Sequence, residues 1–78
     1  MENSILKVII VDDEELARKM LITGTNWSTL HMEIIGEAVS GQDALSMMEE
    51  QIPDILFTDI KMPYMDGMEL CNIVTRRY

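Results

Sequence analysis

The residues best placed for chemistry are aspartates standing at the ends of apolar runs. Asp12 and Asp13 directly follow Ile5-Leu6-Lys7-Val8-Ile9-Ile10-Val11, and Asp59 directly follows Ile55-Leu56-Phe57-Thr58. Both runs are short, β-branched or apolar almost throughout, and free of Gly and Pro. That is the pattern of a strand buried on both faces, as in a parallel sheet. Ligands of open α/β sheets sit in the crevice beyond the carboxyl ends of the strands. If the two strands are neighbours, three carboxylates converge on one small volume. Carboxylates held that close repel, so they must share protons or hold a cation. An all-oxygen donor set favours a hard ion such as Mg²⁺.

Three successive βα units position these residues. The first strand spans roughly 5–11 and leads into a helix from about Glu14 to Ile22, on which Leu16, Ala17, Met20 and Leu21 recur on one face. Glu15, Arg18 and Lys19 lie elsewhere on that helix. Gly24-Thr25-Asn26 is its stop signal, and Trp27 is expected to pack over its end. A second strand over 32–38 has an imperfect alternation at Glu33, Ile34 and Ile35 and reads as an edge strand. Ser40-Gly41-Gln42-Asp43 resembles a capping box with Asp in the place of Glu or Gln. It opens a helix with Ala44, Leu45, Met48 and Met47 inward, closed by Ile52-Pro53. The third strand spans 54–58. The last helix is expected over 67–77, with Asp66 as N-cap, Glu69 at the capping-box position, and Leu70, Cys71, Ile73 and Val74 as its apolar face. A βαβαβα order requires parallel strands with right-handed crossovers, so the acidic strand ends share one edge.

The bulk properties narrow the function. Seventy-eight residues make one small domain, and at that size only about 60% of the unfolded chain's surface leaves the solvent. No apolar stretch approaches the ~20 residues of a membrane span, and Met1-Glu2-Asn3-Ser4 has no basic segment of a signal peptide. A lone cysteine, Cys71, forms no internal disulfide, as expected of a reducing cytoplasm. With His31 as the sole histidine beside that one cysteine, no credible zinc site is expected. A net charge of −8 speaks against direct nucleic-acid binding. The single basic pair, Arg76-Arg77, complements the dipole of the last helix.

Taken in order, these motifs match a family. A strand ending in Asp12-Asp13-Glu14, a third strand ending in Asp59, and then Met62-Pro63 and Met65-Asp66-Gly67 resemble the receiver domain of two-component response regulators. Glu37-Ala38, Ser40-Gly41 and Ala44-Leu45 look like that family's second strand and helix. The Trp27 region and Glu37-Ala38 look most like receivers joined to AraC-type DNA-binding regions. The resemblance implies a flavodoxin-like (CheY-like) α/β fold, a parallel sheet of three βα units over residues 1–78 with strand order 2-1-3. It implies that Asp59 accepts a phosphoryl group from a sensor histidine kinase. Asp13 would bind Mg²⁺ directly, Asp12 largely through water, and the backbone carbonyl of Lys61 would add a further ligand. Pro63 and Gly67 would shape the loop after Asp59. Two further βα units of a receiver, with their Ser/Thr, Lys and aromatic switch residue, have no counterpart here.

Two other readings stand beside this one. Without a fourth strand, 54–58 would be an apolar open edge, so self-association into a dimer with a continuous sheet is expected. In that case the chain would be a non-catalytic, structural or interaction unit. An aspartate-nucleophile phosphatase would want a second acid two residues beyond its nucleophile. Glu14 stands there relative to Asp12, but Asp13 and the Asp59 motif fit a receiver better. No glycine-rich phosphate loop supports nucleotide binding.

Overall fold

The computed structural model describes residues 4–58 together with Ile73 and Arg76. Strand β1 (Leu6–Val11), helix α1 (Glu15–Gly24), strand β2 (Met32–Ala38), helix α2 (Gly41–Glu50) and strand β3 (Ile55–Thr58) follow one another along the chain. All strand pairs are parallel and the order is β2-β1-β3, the order expected from the sequence. The most apolar strand is therefore central. Its Val8, Ile9, Ile10 and Val11 are each 2% exposed or less. Of the helix expected over 67–77, only Ile73 and Arg76 are described, and both are helical. Asp66, Glu69 and Cys71 lie outside the described residues.

Alternation along β1 divides the core between two faces. Ile9 and Val11 join Ala38, Ala44 and Met48 in one buried cluster, with Leu45, Met47 and Leu56 packed against it. This is the inward face expected of α2. The helix is launched by Ser40, whose hydroxyl accepts from the Asp43 N–H at 3.0 Å. The return bond differs from the expected capping box. The Asp43 carboxylate accepts from the N–H of Val39, at 3.0 Å, rather than from that of Ser40. The helix ends at Glu50, where Gln51 donates back to the Met47 carbonyl, two residues before Pro53.

Helix α1 differs more from expectation. It runs two residues past Ile22, with Gly24 inside its last turn, before Thr25 turns extended. Trp27 does pack over the helix end: its indole N–H donates to the Ile22 carbonyl at 2.9 Å. The helix buries none of its residues, however, and Leu16 and Met20 are 71% and 65% exposed. The side turned toward the sheet is Ala17, Arg18 and Leu21, which line a groove with Ile10 and Phe57. Leu16 and Met20 sit one residue earlier in each turn, about 100° around the helix from Ala17 and Leu21.

Parallel pairing of β1 with β2 is interrupted once. Val8 pairs with Ile34 but Ile9 pairs with Gly36, so Ile35 is a bulge residue. The imperfect alternation read at Glu33, Ile34 and Ile35 is the sequence trace of this bulge. Because side chains alternate, a one-residue shift exchanges the faces of everything beyond it. Ala38 thereby enters the buried cluster, and Glu37, paired with Ile10, emerges on the α1 side.

Candidate functional site

The acidic loop begins where β1 runs out. The Asp12 N–H continues the ladder to the Ala38 carbonyl at 3.0 Å, after which the chain leaves the sheet. One carboxylate oxygen of Asp12, Oδ1, accepts from the Glu14 N–H at 2.9 Å, a local turn that Asp adopts readily. Glu14 is the N-cap of α1 by backbone geometry, with no side-chain cap bond, and its carbonyl takes the first helical bond from Arg18 N at 3.1 Å. Asp13 is therefore not the helix cap. It stands exposed beyond the strand end, while Asp12 is half-buried.

Arg18 and Glu37 are the site residues that sequence reading missed. The Arg18 guanidinium donates from Nη1 to the carbonyl oxygen of Asp12 at 2.6 Å, and its Nε meets Glu37 Oε1 at 3.3 Å. The arginine side chain is 10% exposed and its partner 47%. Helical side chains lean toward the N-terminus, which brings Arg18 back over the first turn to the loop. Its neighbour Lys19 turns to solvent instead and pairs with Glu15 at 3.1 Å. That hydrogen bond and the ammonium charge hold the Glu15 carboxyl below its ordinary range. The sequence signal for Arg18 is the displaced Glu37: the bulge brings an acid to the α1 side, where a partner is needed.

Strand β3 ends beside this loop. Val11 pairs with Thr58, so the two strands stop at the same level of the sheet. Between α1 and β3 lies a groove of about 310 Å³ with Asp12 and Arg18 at its polar end and Ile10, Leu21 and Phe57 along its floor and walls. Asp59 and Lys61, the two remaining residues expected at the site, lie outside the described residues. Among the described residues no three His, Cys, Asp or Glu side chains gather closely enough to hold a metal ion. Asp12 and Asp13 fit a hard divalent cation as part of a ligand set. Both offer carboxylate oxygen, and Asp12 spends only Oδ1 on the Glu14 amide.

The comparisons with known proteins agree with this geometry. The family model "Response regulator receiver domain" matches residues 8–78. A protein-glutamate methylesterase/protein-glutamine glutaminase 2 from Koribacter versatilis is 40% identical over 77 residues, covering 99% of this chain and 21% of its own length. Among solved structures, a two component transcriptional regulator AraC from Clostridium phytofermentans is 40% identical with a TM-score of 0.88. The REC domain of AraT, a response regulator from Geobacillus stearothermophilus, is 34% identical with a TM-score of 0.86. Both matches cover 94% of this chain and 57% of the solved chain. The chain thus spans about a fifth of that curated relative and 57% of each of these two solved chains. Among the described residues no helix is long and apolar enough to cross a membrane. With β2-β1-β3 order, an acidic loop at the end of the central strand and a family match over nearly its whole length, the chain belongs to the response regulator receiver domain family of two-component signalling.

Proposed function

We propose that this chain is a phosphoacceptor signalling module, taking a phosphoryl group from a sensor histidine kinase onto Asp59 with Mg²⁺. The observation that carries this reading is the shared end level of β1 and β3. Val11 pairs with Thr58, Asp12 and Asp13 follow the first, and Asp59 follows the second. Asp12, Asp13, Asp59 and the backbone carbonyl of Lys61 would hold the ion. When bound, Mg²⁺ neutralises the anionic phosphoryl group and aligns it for transfer. An Asp59 carboxylate oxygen attacks phosphorus, the new P–O bond forms as the P–N bond to the kinase histidine breaks, and the released imidazole takes up a proton. Residues 1–78 are read as the N-terminal (βα)₃ portion of a receiver, supported by the 57% of each solved neighbour that they cover. The net charge of −8 supports signalling by protein contact, with nucleic-acid binding left to other regions. An AraC-type output region is favoured by the neighbour from Clostridium phytofermentans. The cytoplasm is the compartment proposed.

A second reading follows from β3. It is one of the two edge strands among those described, beside β2, and Phe57 is 39% exposed. A second copy adding to this edge would make a self-associating unit with a structural role and no phosphotransfer. Intact-protein mass spectrometry after incubation with Mg²⁺ and acetyl phosphate separates the two. A single phosphoryl adduct that disappears in Asp59→Asn is the expected result. No adduct in a folded sample, together with a dimeric sedimentation mass, would instead favour the structural role.

A further inference from the structure

We propose that the Arg18–Glu37 ion pair is a positioning device for the acidic loop: it fixes the Asp12 carbonyl and thereby sets how tightly Asp12 and Asp13 hold a divalent cation. This rests on reading that loop as the cation-binding part of a receiver. Three observations carry it. First, α1 is an exposed helix, on which a long cationic side chain ordinarily reaches for water, as Lys19 does at 65% exposure. Arg18 is 10% exposed and is committed to the loop through a charge-assisted bond of 2.6 Å. Second, its two contacts leave from different nitrogens, Nη1 toward the loop and Nε toward β2. One planar guanidinium thus ties α1, β2 and the acidic loop, which the single ammonium of a lysine cannot reproduce. Third, the bulge at Ile35 is what brings Glu37 to that side of the sheet.

Charge and position make opposite demands on Arg18. A cation beside two aspartates opposes the binding of a second cation, so removing it should tighten Mg²⁺ binding if charge alone mattered. Glu37 already balances the guanidinium, leaving its bond to the Asp12 carbonyl as its net contribution. Loss of Arg18 therefore weakens binding. The sign of the effect separates the two.

The test is calorimetric titration of the protein with Mg²⁺ alone, beside metal-free hydrogen exchange at the Glu14 and Asp12 amides. Arg18→Ala is expected to bind Mg²⁺ roughly tenfold more weakly, the low end of what outer-shell partners cost. Arg18→Lys, which keeps the charge, does not restore it. The Arg18→Ala, Glu37→Gln double variant is no weaker than Arg18→Ala. The Glu14 amide, bonded to Asp12 Oδ1, exchanges faster in Arg18→Ala without metal. Unchanged or tighter Mg²⁺ binding in Arg18→Ala overturns the proposal, as does unchanged exchange at Glu14. If Arg18→Ala does not fold, Arg18→Lys carries the test, since charge alone predicts no change there. Absence of Mg²⁺ binding by the unsubstituted protein overturns the cation reading and the metal half of this proposal together, and metal-free exchange still decides whether Arg18 fixes the acidic loop.

Discussion

His31 is the one described non-glycine residue with a positive φ, at 58°. It closes a turn in which Leu30 and Met32 both donate to the Trp27 carbonyl and His31 donates to that of Ser28. Its own carbonyl accepts from Leu6 N at 2.8 Å, so the strained residue joins the start of β1 to the start of β2. Left-handed backbone costs an L-residue roughly 1–2 kcal/mol, and His tolerates it better than most. The imidazole itself is exposed. We therefore expect His31→Gly to keep or raise stability, by up to about 1 kcal/mol once the flexibility of unfolded glycine is deducted. His31→Val should lower it by about 1–2 kcal/mol, because a β-branched side chain fits that backbone worst. Urea unfolding of the three proteins checks the order. A valine variant as stable as the histidine would show that the turn relaxes at no cost. Nothing in the sequence marks this position beyond the short polar stretch around it. A left-handed residue other than Gly or Asn leaves no composition signal.

At the scale of elements, legibility followed the source of the order. The sequence marks β2 at its observed ends, and β1 and β3 within one residue of theirs, because apolar runs bounded by polar turns carry their own limits. Helix α2 was legible at both ends, since Ser40 and Pro53 are local chemistry. Helix α1 was legible in extent but not in orientation. Its apolar residues suggest one face made of Leu16, Ala17, Met20 and Leu21, whereas the groove beside the sheet is lined by Ala17, Arg18 and Leu21 and leaves Leu16 and Met20 exposed. Which side of a helix faces a sheet depends on the connecting turns and on what lies across it, and neither is written in its periodicity. The acidic loop was legible from the strand ends alone. Arg18 was not, because its role depends on a register shift in another element. The α2 N-terminus offers a direct check on the local part of this account. Ser40→Ala removes the acceptor of the Asp43 amide, and Asp43→Ala removes the acceptor of the Val39 amide. Each is expected to cost about 1 kcal/mol in thermal or denaturant unfolding. The double variant should cost less than the sum, since residues of one small network couple. Strict additivity would mean that the two bonds stabilise the turn independently.

The whole molecule is a small acidic body, and that makes its response to cations informative. Fourteen carboxylates against six basic residues give a net charge of −8. Self-repulsion of that size weakens the compact state, so any salt should stabilise the fold by screening. A bound ion acts differently. It stabilises the native state by mass action, about 1.4 kcal/mol when free Mg²⁺ stands at ten times its dissociation constant. For a chain of this length such an increment raises the melting temperature by roughly 5–10 °C. Comparing MgCl₂ with NaCl at equal ionic strength removes the screening contribution. The expected outcome is a melting temperature that rises with Mg²⁺ beyond the NaCl control and goes on rising with the logarithm of free Mg²⁺ once the site is filled. Asp13→Asn should lose that excess while keeping the NaCl response, since one carboxylate among fourteen hardly alters the overall field. An equal shift with both salts would mean that the acidic strand ends gather charge without binding an ion. An excess that survives in Asp13→Asn would place the ion elsewhere on the acidic surface. Either result would remove the physical basis for assigning phosphotransfer to this edge of the sheet, because an aspartate nucleophile facing an anionic phosphoryl group needs that charge neutralised where the two meet.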